Sequence, residues 1–109
     1  MALDAGQLSK MMITAARGQL KKKWPLVREY AESEARKTAE TIAMIEKLHA
    51  SDKISEEEAQ LLLQMQRNSA NAVLLTVKGM GLLAAEQAIN AAVDAVRTVV
   101  NEAVGFALI

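Results

Sequence analysis

Residues 82–109 place the hardest constraint on the fold. They hold eight alanines and a β-branched apolar series, Ile89, Val93, Val96 and Val100, against four charged side chains, Glu86, Asp94, Arg97 and Glu102. Alanine is the strongest helix former, and the apolar positions recur at helical spacing. A polar strip holds Glu86, Asn90, Asp94, Arg97 and Asn101; nearly all the rest of the circumference is apolar or small. A helix of that kind is expected at the centre of its fold. With only three sister helices to cover it, a second subunit is expected to cover one face. Ile89, Val93, Val96, Val100 and Phe106 are therefore the candidate interface. The apolar tail, residues 105–109, is expected to dock, with a subunit boundary one place for it to do so.

The rest of the chain supports an all-α reading. One proline and five glycines give little punctuation, and 109 residues suit a single domain, residues 1–109. The hydrophobic share is 51% but the aromatic share only 3%, so the core must be built from Ala, Leu, Val, Ile and Met. Small apolar residues let helices approach closely. Asp4 and Gln7 have the spacing of a capping box and predict a first helix carrying Leu8, Met12, Ala15, Ala16 and Gln19/Leu20. Pro25 disfavours helix at Trp24 and suits the start of a second helix, about 25–50, with a seam of Ala31, Ala35, Thr38, Ile42, Ile45 and His49. Ser55 and Glu58 predict a capping box for a third helix. Its expected stripe is Leu62, Met65, Ser69, Val73 and Val77. Gly79 and Gly81 either end this helix or sit inside one long helix where another backbone packs close; a break or kink is the favoured reading, with a fourth helix over most of 82–106. The expected architecture is a helical bundle of three to four helices, completed by oligomerisation.

Composition narrows the chemistry. The absence of cysteine excludes disulfides, thiolate metal sites and cysteine catalysis. The apolar run Met11, Met12, Ile13 is too short for a secretory signal. The longest apolar stretch, residues 72–89, is interrupted by Lys78 and Glu86, so no segment is expected to cross a bilayer. A soluble cytoplasmic protein is the expectation. Net charge is zero but uneven: residues 1–28 hold six basic groups and one acidic, residues 29–60 nine acidic and four basic. Such polarity either steers association or lies on solvated helix faces.

Few motifs carry chemistry. Glu46 and His49 sit one turn apart on a helix face, a spacing that resembles the Glu-x-x-His motif of ferritin-like di-iron proteins. The resemblance covers four residues. It implies an iron, manganese or zinc site shared between subunits, whereas His49 alone is explained by a helix end. Lys21, Lys22, Lys23 and Trp24 beside an amphipathic helix suggest a membrane surface. The plainer reading is a solvated helix end with Trp24 packed inward. Nucleic acid is disfavoured by a short basic cluster, one tryptophan and zero net charge. The methionines at 11, 12, 44, 65 and 80 are core fillers or an adaptable groove, and Glu56, Glu57 and Glu58 complement a helix dipole. No nucleophile elbow, phosphate loop or histidine pair is present, which points away from an enzyme. The sequence favours a small self-associating structural or interaction protein, a scaffold or assembly component acting through a protein partner. Metal binding at Glu46 and His49 and membrane-surface binding through the basic N-terminal helix are the alternatives.

Overall fold

The computed structural model describes residues 2–109 and is all-helical, with no strand among them. Helix α1 (Ala5–Leu20) runs into a 3-10 turn (Lys21–Lys23) and then α2 (Trp24–Ala50); α3 (Glu56–Leu75) and α4 (Leu82–Val104) follow. The helices share one core and form a body of 42 × 21 × 18 Å. Packing is most extensive between α1 and α4, between α1 and α2, and between α2 and α3; α3 meets α4 more loosely.

Local chemistry sets the boundaries. The Asp4 carboxylate accepts the N–H of Gly6 at 2.9 Å and of Gln7 at 3.4 Å. The return bond from Gln7 that a capping box requires does not form. At α3 the box closes: Glu58 N–H donates to Ser55 Oγ at 3.0 Å, and Ser55 N–H donates to Glu58 Oε1 at 2.8 Å. Lys21 makes the corner between α1 and α2 with φ 52°, and Trp24, ahead of Pro25, is already helical. Helix α3 stops at Leu75, short of the glycines. The Thr76 hydroxyl donates to the Val73 carbonyl at 2.6 Å and the last turn tightens to three-residue bonds. Gly79, at φ 90°, then turns the chain so that Met80 tucks into the core. Helix α4 ends at Gly105, whose left-handed conformation (φ 85°) glycine adopts without strain.

The core faces of α1 and α2 agree with the expected periodicity. Leu8, Met12, Ala16 and Leu20 are buried on α1, and Ala31, Ala35, Thr38, Ile42 and Ile45 on α2. On α3 the fully buried residues are Ala59, Leu63, Ala70 and Leu74; of the expected stripe Leu62, Val73 and Val77 are half-buried, and Met65 and Ser69 face outward. The segments leading into α1 and out of α4 are held by hydrogen bonds. Leu3 N–H donates to Glu46 Oε1 at 2.7 Å. Asn101 Oδ1 accepts the N–H groups of Leu108 and Ile109, each at 3.0 Å, and Gln60 Nε2 donates to the Ala107 carbonyl.

Ser55→Ala is expected to lower unfolding free energy by about 1 kcal/mol, because the Glu58 N–H loses its side-chain acceptor while the reciprocal bond from the residue 55 N–H to Glu58 stays. Urea denaturation followed by circular dichroism checks this, with the slope unchanged.

Candidate interaction site

The candidate interface on α4 is largely inside the chain. Val93, Val96 and Val100 are buried against the other helices, and Ile89 and Phe106 are half-buried. Alanines at 85, 88 and 92 bring α4 close enough for α1 and its neighbours to cover this face. The reading of these valines as a surface offered to a second subunit is corrected accordingly: they are core residues of a single chain. The tail likewise docks on its own molecule, with Leu108 buried and residues 108–109 held by Asn101.

Glu46 and His49 stay close, lining one surface hollow of about 300 Å³ with Lys47 and Ala103. Glu46 is buried and its Oε1 is occupied by the Leu3 amide. The His49 ring packs on Phe106, with centroids 4.7 Å apart and planes at 50°. A protein metal site usually draws on three or four side chains. Among the described residues no group of three or more His, Cys, Asp or Glu is placed to hold a metal ion.

Lys21, Lys22 and Lys23 are exposed, but Trp24 is buried in the core. Of the two readings of Trp24, the inward one holds and the membrane-surface one does not: Trp24 occupies the position one turn before Val27 on the inward stripe of α2. The apolar stripe of α1, which would have to enter a headgroup layer, is also buried. No helix among the described residues is long and apolar enough to cross a membrane.

Two surfaces that periodicity did not single out now stand out. The first is the outer face of α3. Leu61, Met65, Asn68, Ala72 and Leu75 are all exposed, at spacings of four and three. At 100° per residue they lie opposite Ala59, Leu63, Ala70 and Leu74. Leu61 is 61% exposed and Met65 58%. From Ala59 to Val77 the only charged residue is Arg67, and it donates to Asn90 on α4 at 2.7 Å. Asn68, at the middle of the stripe, accepts from Gln64 at 2.9 Å, which leaves its own amide donors facing outward. Helix α3 is therefore apolar on two opposite faces, one inside the fold and one in water.

The second is an internal crevice of about 40 Å³ between the helices, lined largely by alanines, Met12, Leu74 and Val93, with Glu34 and Arg67 as its charged members. Glu34 is 5% exposed. One carboxylate oxygen accepts from Lys37 Nζ at 3.1 Å, and the other is buried without a partner. A spacing-based reading placed Glu34 nowhere, because it lies on the flank of the α2 stripe rather than within it.

Val96→Glu is expected to unfold the chain rather than yield a folded monomer, since an unpaired charge would enter a site with no exposure, at a loss above about 4 kcal/mol. A cooperative near-native melt of that variant would contradict the burial. Glu34→Met is expected to raise unfolding free energy by about 1 kcal/mol, because the unpartnered oxygen is removed and the lost bond to half-exposed Lys37 contributes little. A comparable fall in chemical denaturation would mean that the carboxylate is paired in solution.

Family models, curated proteins and solved structures give no match to this chain.

Proposed function

We propose that the chain is a self-associating structural or interaction protein, and that two copies pair through the outer face of α3. One observation carries this reading: α3 presents a second apolar stripe, nearly free of charge, opposite the one it buries. A lone helix in water has no use for two such faces; a helix between two cores does.

A second copy fits that stripe better than an unrelated partner. The exposed residues are arranged almost evenly about Asn68: Leu61 and Leu75 lie seven positions away on either side, with Met65 and Ala72 between. A two-fold axis through the middle of the stripe places each half against the other, as isologous contacts require. Antiparallel pairing also brings Glu56, Glu57 and Glu58 at the start of one α3 towards Lys78 beyond the end of the other. A polar residue at one seam position fixes register and orientation at some cost in stability, the role this reading gives Asn68.

Surface area argues the same way. A monomer of 11.8 kDa exposes about 5,900 Å² by the usual scaling with mass, and this chain exposes 6490 Å². The body is elongated, and among the described residues ten large apolar side chains are exposed. The role that follows is that of a scaffold or assembly component.

Met65→Glu, with or without Leu61→Glu, is expected to convert a dimer to a monomer while leaving helix content and melting cooperativity intact, because both side chains are already in water in the single chain. Sedimentation velocity of wild type and variant at micromolar concentration checks this. A well-folded wild-type monomer under those conditions overturns the reading, as does a Met65→Glu variant that remains dimeric.

A further inference from the structure

The fold gathers a basic cluster and two adjacent exposed leucines at one end of the molecule. The corner between α1 and α2 carries Lys21, Lys22 and Lys23, all exposed. These lysines line a surface hollow of about 380 Å³ together with Gln19, Leu20, Ala84 and Gln87. Ala84 and Gln87 belong to the first turns of α4, which open with Leu82 and Leu83. Leu83 is 67% exposed and Leu82 56%, adjacent in sequence and one step from the hollow. Arg17 stands one turn before the corner and is also exposed. Among the described residues, no ion pair engages Arg17, Lys21, Lys22 or Lys23.

We propose that this end of the molecule docks on an anionic bilayer surface, with the lysines at the headgroups and Leu82 and Leu83 entering the acyl boundary. The two side-chain types have different requirements. Four unpaired cations attract any polyanion, but paired protruding leucines gain nothing from a phosphate backbone or an acidic peptide in water. They gain free energy where charge and hydrocarbon lie a few ångströms apart, as in a lipid leaflet. The charge distribution supplies orientation. A chain of zero net charge has no overall attraction to an anionic surface, but its acidic groups at Asp4, Asp52 and Glu56–Glu58 belong to the loops and helix ends opposite this corner. The field therefore turns the basic end inward. The lysines of this site are those singled out in the sequence; the apolar anchor is not Trp24, which is buried, but the start of α4.

The experiment is flotation of the full chain with vesicles of phosphatidylcholine alone and of phosphatidylcholine with phosphatidylserine, at low and at high salt. Binding is expected only to the vesicles with phosphatidylserine, and it should weaken with salt. Each Lys→Gln change at 21, 22 or 23 is expected to lower partitioning by about fivefold. Leu82→Ser with Leu83→Ser is expected to lower it by at least about tenfold at unchanged charge. Circular dichroism should show both sets folded, since every substituted side chain is exposed. Met65→Glu should bind as wild type does, which separates this surface from the one on α3. The proposal is overturned if phosphatidylserine vesicles leave the wild-type chain unbound at low salt. It is equally overturned if the double serine variant binds as well as wild type. Lysine-dependent capture by a DNA oligonucleotide, without vesicle binding, would identify the partner as a polyanion instead.

Discussion

The close packing of α4 in its own chain is the interaction on which the rest of the structure depends. Small residues along its inner face, Ala85, Ala88 and Ala92, let the backbones approach, and Val93, Val96 and Val100 fill the space that remains. Each buried valine contributes about 1.5–2 kcal/mol of transfer free energy, and the seam runs the length of the helix. With this face covered by α1 and its neighbours, the fold closes on one molecule. Everything that remains for partners lies on other faces.

That closure explains what could be read from sequence and what could not. The start of α3 was legible because Ser55 and Glu58 encode a local bond pair that needs no tertiary information. The inward stripe of α2 was legible because most of its outer positions are charged, with Leu26, Tyr30 and Met44 the large apolar exceptions. Helix α3 offered no such contrast: nearly uncharged after Glu58, it has several apolar stripes of comparable strength, and the sequence alone does not say which one meets α2. Helix α4 was identified as central, but the extent to which α1 covers it depends on inter-helix distance. Alanine content hints at that distance without fixing it. Glu34 was illegible for a different reason, since a glutamate on the flank of a stripe is ordinarily solvated.

Two apolar residues, Trp24 and Met65, illustrate one rule from opposite sides. Trp24 beside three lysines has the look of an interfacial anchor, yet its place one turn before Val27 turns it into the core. Met65 fits a core stripe, yet the register of α3 turns it into water. In both cases neighbours in sequence suggested an environment, and the rotation of the helix about its axis decided it. A phase error of one residue moves a side chain by about 100° around a helix, enough to exchange core for surface.

The two proposed surfaces are compatible in space, and their combination has a geometric consequence. The stripe on α3 runs along the long axis of the molecule, whereas the basic corner and Leu82–Leu83 lie at one end of it. Antiparallel pairing of α3 therefore turns the basic ends of the two copies in opposite directions, so that the pair presents one lipid-facing end on each side. Under the two proposals taken together, a single copy with one such end engages one leaflet, and a pair with two joins separate leaflets, provided the linkage through α3 holds. Binding and bridging thus rest on different residues: Lys21–Lys23, Leu82 and Leu83 for the first, and these together with Leu61 and Met65 for the second. A protein whose copies bind vesicles without clustering them would have the corner and not the seam.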